Sequence, residues 1–558
     1  MRKAAIRVVA VAGFVLAVVW GGAGTAAAHA VLVSSDPGYG ATLSQAPEQV
    51  SMTFDEPVTA ARNSVTVADR DGVRVDTGEV RGIDGGRTVV VPLRAGLSDG
   101  TYLLGWSLLS ADGHLVAGSI VFGIGAPPDL SVTGAPPDPL IAALDTVVRL
   151  LTGLGYLGIA LAVGVPPAVY AIQRRASDIG AVVQLARIGA ALTAVTALLI
   201  FAATPARLAG TAGWTDPQIW KQSATSVIGA AALVRAAAAV ALLWLSKRSI
   251  AQPSRWTTAG RVAVLAPGSA PERTIPDARQ VWGADRRGSF RVVASVLVVV
   301  STAVAGHAVA GEYRWIALVS VALHLVAMAV WIGGVAVVIL LWRTDGRGEA
   351  VARFGRVAVL ALGAVVVSGA LQTWRAVSPV AALWHTSWGL LLLVKLALVG
   401  VALGIAVVVR RTARVGAARL EFGAQVAVLV VSALLTGVAP ARDSYDPAVT
   451  LAAELGPLAA TIAVDGAHAG TQELTVRLRD SAGEPVDALE VSGRLVRDDG
   501  ALGPIEIPFR RVEPVELGPD YFVSQPVRVP LAGDWHLRLT VVADRVNGYA
   551  ATLPYRVW

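Results

Sequence analysis

The chain has 558 residues, of which 54% are hydrophobic and only 16% are charged. Soluble domains carry closer to a quarter of charged residues, so this balance disfavours a purely soluble protein. The chain has no cysteine, which excludes disulfides, thiolate metal sites and a cysteine nucleophile. Its net charge of +7 fits either a nucleic-acid partner or the basic loops of a membrane protein.

The N-terminus has the three zones of an export signal. Three basic residues lie within positions 2–7, positions 8–20 are apolar, and Ala26–Ala28 supplies small residues before a cleavage point. Residues 1–28 are therefore predicted to be a signal peptide, with an uncleaved first membrane helix as the alternative. Cleavage would make His29 the first residue and place a free α-amine beside its imidazole.

Residues 29–125 have no long apolar run and predict a small all-β sandwich or barrel. Short alternating segments recur between turn signals such as Asp71-Gly72 and Asp99-Gly100. The predicted strands are 49–54, 64–67, 88–93, 101–108 and 119–124. Residues 126–139 hold five prolines and predict a semi-rigid linker.

Residues 140–442 predict a membrane domain of eight helices. Each apolar stretch is close to the roughly 20 residues that a membrane-spanning helix needs. The stretches are 145–172, 182–204, 224–246, 290–310, 315–342, 355–374, 386–409 and 420–440.

The basic residues of the loops predict the orientation of these helices. With the first β-domain outside, the cytoplasmic loops hold 19 Lys and Arg residues, against four in the outside loops. The positive charge is thus mostly a topology signal, which removes nucleic acid as a partner and indicates a lipid bilayer instead. We predict a multi-pass protein of the inner or plasma membrane.

Residues 443–558 alternate again and predict a second β-sandwich. The predicted strands are 473–478, 491–496, 505–510, 527–530, 536–542 and 550–557. Eight spans return the chain to its starting side, so both β-domains are predicted to be extracytoplasmic.

The first β-domain contains a candidate metal motif. Asp112 and His114 are two residues apart, so in an extended chain their side chains point to the same face. With the amine and imidazole of His29, they offer three nitrogens and one oxygen, a set that suits tetragonal Cu(II), with Ni(II) a weaker candidate. The alternative is that Asp112-Gly113 is only a turn and His114 a surface residue.

Several runs in this domain resemble the periplasmic copper-binding protein CopC. They are residues 29–43, 54–58 and 100–114, which together span most of the domain. The resemblance implies a Cu(II) site at His29, Asp112 and His114. It also implies that Glu56 lies near this site, where a hydrogen bond to an imidazole would orient a ligand.

The membrane domain offers candidate ligands within its spans. His307, His324 and His385 fall in the outer half of the predicted bundle, and Met328 lies one helical turn from His324. A His/Met pair suits Cu(I), although Met328 also fits plain packing. Lys395 lies near mid-membrane, where charge is costly, and is predicted to have a gating or structural role.

Four runs of the membrane domain resemble the copper-resistance membrane protein CopD: 324–334, 353–358, 386–395 and 435–442. The resemblance implies copper passage across the inner membrane, in the uptake direction. The last domain loosely resembles the YtkA-like β-sandwiches attached to such proteins. Fusion of a capture domain with a membrane domain would deliver copper at high effective concentration.

Together these features predict a copper-homeostasis membrane protein rather than an enzyme, since the sequence has no catalytic triad, phosphate loop or HExxH motif. Its partners would be copper ions and an exported copper protein or copper chaperone. Two alternatives stay open. One is a haem-bearing redox protein with His307 and His324 as axial ligands, and the other is a copper-delivery scaffold without transport.

Overall fold

The fold is described from a computed structural model. It covers residues 30, 32–54, 56–60, 64–110, 115–129, 139–172, 179–250, 286–306, 314–343, 347–497, 504–511, 521–529 and 532–558. The predicted signal peptide and most of the predicted linker lie outside these residues. The chain divides into two units, of which the second is Ala441–Trp558.

The N-terminal β-domain consists of two sheets around one core. One sheet has the order β1-β3-β7-β6, the other the order β2-β9-β8-β4, with β5 also paired to β8. The strands are β1 (Leu32–Asp36), β2 (Thr42–Leu43), β3 (Gln49–Phe54), β4 (Val58–Thr59), β5 (Val65–Asp69), β6 (Arg81–Ile83), β7 (Thr88–Pro92), β8 (Gly100–Ser110) and β9 (Leu115–Ile124).

Alternation in these strands explains the core. In β3 the side chains of Val50, Met52 and Phe54 are buried, and the residues between them are not. They pack with the inward faces of the other strands in a single apolar cluster. Removal of these side chains from water holds the two sheets together.

The helical domain follows from residue 139 onward. Its helices are α1 (Pro139–Ile172), α2 (Ile179–Ala209), α3 (Pro217–Thr225), α4 (Val227–Ile250), α5 (Arg286–Val304), α6 (Arg314–Leu340), α7 (Arg347–Ala376), α8 (Ala382–His385), α9 (Ser387–Thr412) and α10 (Val415–Leu435). Within the described residues, seven of them are long and apolar enough to cross a membrane: α1, α2, α4, α6, α7, α9 and α10.

The predicted total of eight spans is therefore not confirmed. The stretch predicted at 290–310 corresponds to α5, whose apolar part, Gly288–Val304, is shorter than the other seven helices. Residues 307–313, which would extend it, lie outside the described part of the chain. The short helix α3 was not predicted, although Asp216 caps its first turn by accepting a hydrogen bond from the backbone N–H of Gln218 at 2.8 Å.

Small residues bring the central helices close together. A Cβ atom on Gly333 of α6 would lie 2.7 Å from the carbonyl oxygen of Ala160 in α1. Only glycine allows this approach, which is typical of helix pairs within membranes. Helix α1 thus lies against α6, and it also packs along α2.

The β-domain contacts one end of the helical domain. Leu109 of β8 packs against Leu208 at the end of α2, and against Ile219 and Ile228. The side-chain amide of Gln222 in α3 also donates a hydrogen bond to the carbonyl of Ala60. We call this end of the bundle the near half, and the opposite end the far half.

The second unit is a β-domain that differs from the predicted sandwich. Its strands are β10 (Val449–Leu455), β11 (Leu458–Val464), β12 (Gly470–Gln472), β13 (Leu474–Asp480), β14 (Glu490–Val496), β15 (Ile505–Arg511), β16 (Tyr521–Ser524), β17 (Val527–Val529), β18 (Gly533–Val542) and β19 (Gly548–Val557). Eight of them form one sheet of order β10-β11-β13-β16-β15-β14-β18-β19.

This sheet is nearly closed into a barrel. Strand β15 joins what would otherwise be two sheets, because Ile505 to Pro508 pair with β14 and Phe509 to Arg511 pair with β16. The first strand, β10, also contacts the last, β19. The inward side chains fill one apolar core that includes Trp535 and Tyr555. Strands β12 and β17 form a separate two-stranded sheet.

Candidate functional site

A cavity of about 1030 Å³ lies between the β-domain and the near half of the helical bundle. At the β-domain end it is lined by Ala30, Val116 and Ala117. Within the bundle its walls come from α1, α2, α4, α5, α6, α7, α9 and α10, and they include His324, Met328 and Lys395. Its size is at the upper limit of ordinary ligand pockets.

The β-domain end of the cavity adjoins, in sequence, the predicted Cu(II) ligands. Ala30 directly follows His29, and Val116 is two residues after His114. His29, Asp112 and His114 themselves lie outside the described residues, so the copper site stays a prediction. Within the described part of the chain, no three His, Asp or Glu side chains converge on one point.

Glu56 is fully buried in the β-domain, at 0% exposure. Its carboxylate accepts a hydrogen bond from the hydroxyl of Ser110, the last residue of β8. Residues 111–114, which follow Ser110 and contain two predicted ligands, are not described. A buried carboxylate is costly unless it is hydrogen-bonded, and Glu56 is fixed by Ser110 next to this segment.

His324 is oriented by a chain of hydrogen bonds. Its Nδ1 lies 3.0 Å from Oγ of Ser368, and this hydroxyl donates in turn to the carbonyl of Ala364. Because the Ser368 hydroxyl donates its proton to the Ala364 carbonyl, its oxygen accepts a hydrogen bond from the Nδ1–H of His324. The other ring nitrogen, Nε2, then keeps its lone pair, as a metal ligand requires.

The surroundings of His324 offer both space for a ligand and a second possible ligand group. Gly369 has no side chain, and a Cβ there would lie 3.5 Å from Cε1 of the His324 ring. Met328 is one turn further along α6 and lines the same cavity. An imidazole nitrogen and a thioether sulfur therefore line one space, and both are groups that bind copper.

Four cationic side chains line the cavity: Arg149, Arg207, Arg235 and Lys395. Asp145 is the carboxylate among the described lining residues, and its Oδ1 accepts a hydrogen bond from Nε of Arg207 at 2.7 Å. Arg235 donates to the hydroxyl of Thr302 across 3.4 Å. The lining therefore carries more positive than negative charge.

Two further histidines were predicted within the spans, His307 and His385. His385 is exposed at the end of the four-residue helix α8 and does not line the cavity. His307 lies outside the described residues. The structure thus brings together His324, Met328 and Lys395 on one cavity wall, and the roles predicted for them stay predictions.

The far half contains two buried polar residues that the sequence analysis missed. Glu421 and Gln425 are one turn apart on α10, at 5% and 1% exposure. The side-chain amide of Gln425 donates a hydrogen bond to Oε1 of Glu421 across 3.5 Å, and the indole of Trp331 on α6 lies beside this carboxylate. A glutamate within an apolar span was the available signal, since such groups are functional candidates by default. The same signal marks Arg235 in α4.

Comparisons with known proteins assign two parts of the chain. The CopC domain family model matches residues 32–125, and the model of Copper resistance protein D, CopD, matches residues 348–464. The chain joins a CopC domain to a CopD domain. The CopC match coincides with the first β-domain, and the CopD match runs from α7 through α10 into strands β10 and β11.

A relative covers nearly the whole chain. Copper transport protein CutJ of Bacillus subtilis is 25% identical over 500 residues, which are 86% of this chain and 87% of CutJ. Protein YobA of Escherichia coli is 28% identical over 98 residues, or 17% of this chain and 79% of YobA. The CopC–CopD chain is therefore related to copper resistance and copper transport proteins.

Two solved structures are similar to the CopC domain. CopC from Methylosinus trichosporium OB3b is 27% identical and covers 19% of this chain and 99% of its own, with a TM-score of 0.17. PcoC, a methionine-rich copper resistance protein from Escherichia coli, is 25% identical and covers 17% and 99%, with a TM-score of 0.16.

Proposed function

We propose that this protein transports copper, in the uptake direction, from its CopC domain through its helical domain. Cu(II) is captured by His29, Asp112 and His114, while Glu56 helps to hold an imidazole in place. The ion keeps its oxidation state, so that no electron donor is needed: it enters the cavity as Cu(II) and reaches the imidazole of His324, beside Met328. The relationship to CutJ along 86% of the chain supports this function.

The cavity is the observation that carries the proposal. It extends from residues adjacent in sequence to the predicted Cu(II) ligands to the imidazole of His324. Capture and transfer on one chain need no diffusion of free copper, because the donor is held beside the acceptor. The lone pair left on Nε2 of His324 supports its role as the acceptor.

The proposed topology places eight helices across the plasma membrane, with the predicted stretch 290–310 as the fourth span. Both β-domains then lie outside the cytoplasm, and the near half of the bundle is the outer half. The excess of basic residues in the opposite loops supports this orientation. The far half then faces the cytoplasm, with Glu421 and Gln425 as the polar groups on the remaining path.

Passage beyond His324 requires a conformational change. The far half is filled by a packed apolar core that includes Val165, Trp331, Val335 and Phe354. A site that is open on one side and closed on the other is typical of alternating access. The sequence contains no ATP-binding motif, so the copper gradient or the membrane potential would drive transport.

Copper uptake into proteoliposomes tests the proposal. Vesicles carrying the mature full-length protein are loaded with an internal copper indicator, and Cu(II) is added outside. We expect uptake by the wild type and a loss of about tenfold or more in His29→Ala and in His324→Ala, since each removes a ligand. The matched control is Gln49→Ala on the exposed side of β3, which keeps wild-type uptake.

A scaffold that hands copper to an exported copper protein or chaperone is the second candidate. The cavity ends within the near half, and the far half is packed closed. This arrangement also suits a protein that binds copper without passing it through the membrane. A scaffold would bind Cu(II) with wild-type affinity and show no flux in the same vesicles. That result would replace transport as the function.

A further inference from the structure

We propose that the cavity binds a small monovalent anion, a halide or carboxylate, which enters together with copper. The proposal rests on the proposed function and specifies the form of its cargo. The observation behind it is that the cavity wall is positively charged, which repels a bare metal cation.

Positive charge is in excess on this wall. Arg149, Arg207, Arg235 and Lys395 face one carboxylate, Asp145, among the described lining residues. Asp145 is already engaged with Arg207. Three cationic groups thus remain uncompensated by protein in the described part of the cavity.

These groups have unused hydrogen-bond donors. Nε of Arg235 is buried and has no hydrogen-bond partner within the described residues. Lys395 on α9 is half-buried and lines the cavity, and the described part of the chain offers its ammonium no hydrogen bond or ion pair. An unpaired charge in a low-dielectric interior is costly, and an acceptor-rich anion is the chemistry that satisfies it.

Copper transfer gains from such an anion. A bare copper ion at His324 would be repelled by Lys395, which lines the same cavity. Halides and carboxylates are also copper ligands, so one anion neutralises the wall and completes the coordination left open by His324 and Met328. The cationic wall then attracts the copper complex instead of opposing it.

Anion binding without copper is the first test. The full-length protein in lipid nanodiscs is heated at constant ionic strength while methanesulfonate is replaced by chloride or by acetate. We expect the unfolding midpoint of the wild type to rise saturably with chloride, acetate or both, because a ligand of the native state stabilises it. The chloride and acetate arms separate a halide from a carboxylate site.

Variants locate the binding to the cavity. Lys395→Met and Arg235→Gln should each need at least about tenfold more anion for the same shift, corresponding to about 1.4 kcal/mol. Lys395→Arg keeps the charge and should retain binding. Lys221→Met, an exposed position on α3, is the matched control and should behave like the wild type. Equal shifts in all four variants, or no shift in the wild type, would overturn the proposal.

Copper uptake separates this inference from the proposed function. We expect uptake by the wild type to slow when chloride and acetate are absent. Uptake by Lys395→Met should be slow even when they are present. Faster uptake in Lys395→Met with no dependence on the anion would show that a bare cation passes, which refutes the anion and leaves transport intact. Anion binding with no copper uptake by the wild type would refute transport and leave the anion site.

Discussion

The near and far halves of the helical bundle consist of the same apolar helices, but the near half is open and the far half is densely packed. The near half surrounds a cavity of about 1030 Å³ lined by charged and polar side chains. The far half is a dense apolar core, interrupted by Glu421 and Gln425. One bundle thus combines a cavity in one half with a closed barrier in the other, which is the arrangement a transporter needs in one of its two states.

The largest expected effect comes from opening the far half. Phe354→Ala removes a buried ring that fills the space above Gly334, and we expect a loss of about 3 kcal/mol in the free energy of unfolding. Leu360→Ala, on the same helix at 76% exposure, is the control and should change little. Unfolding by SDS titration in mixed micelles measures both. Equal effects would mean that the far half is not the packed region described above.

Next in size is the loss of copper capture on the near side. In the mature protein, His29→Ala removes the imidazole of the proposed terminal chelate, and we expect at least about 100-fold weaker Cu(II) binding. One extra residue before His29 should weaken binding comparably, because it turns the free amine into an amide. Competition against a Cu(II) chelator gives the affinities. Tight binding in both proteins would rule out His29 as a ligand.

Filling the near half should affect transport more than folding. Gly369→Leu places a side chain beside the His324 ring and into the cavity, and we expect uptake to fall about tenfold, the effect of roughly 1.4 kcal/mol. Gly363→Leu on the same helix is the matched control, because a Cβ there meets no atom within 4 Å. Initial uptake rates in proteoliposomes compare the two. Equal rates would show that copper does not pass His324.

The smallest effect concerns the CopC domain, which contacts the near half. Asp76 is buried, which by itself raises its pKa, but hydrogen bonds from Arg74 and from the backbone N–H groups of Val67 and Gly78 outweigh burial and lower the pKa below 3.8. A lowered carboxyl pKa stabilises the fold above about pH 4, and this contribution is lost as the pH falls through the folded-state value.

We therefore expect Asp76→Asn to lose about 1 kcal/mol of local stability at pH 7, and to lose less below pH 3. Hydrogen exchange of the β5 amides in the full-length protein reports this loss, after correction for the intrinsic exchange rate at each pH. The exposed Asp71→Asn serves as control. A loss at pH 3 as large as that at pH 7 would contradict the role of the ionised carboxylate.

The sequence predicts the helices better than the space between them. Apolar runs of spanning length reveal seven membrane helices, because each must bury its whole length in lipid. Helix α3 has no such run, and only the cap at Asp216 marks it. The cavity depends on where residues such as Arg235, Lys395 and Gly369 meet, and no local pattern contains that information.

The same limit applies to the β-domains. Alternation in β3 correctly predicts a buried face, since one residue in two points inward. Alternation does not say which strands pair. The sequence therefore predicts a sandwich for residues 443–558, whereas in the structure β15 joins the strands into one continuous sheet. The hydrogen bond of Glu56 to Ser110 shows the same limit, because no sequence pattern marks that pair; the predicted bond of Glu56 to an imidazole stays a prediction, since His29 and His114 lie outside the described residues.

The contact of Leu109 with Leu208, Ile219 and Ile228 has a kinetic consequence. Under the proposed function, a β-domain that is seated on the bundle does not have to search for its acceptor after each loading event. The time between arrivals of external copper would then set the pace of the cycle at low concentration. Changing the length of the chain between the β-domain and α1 would alter neither the waiting time nor the hand-over.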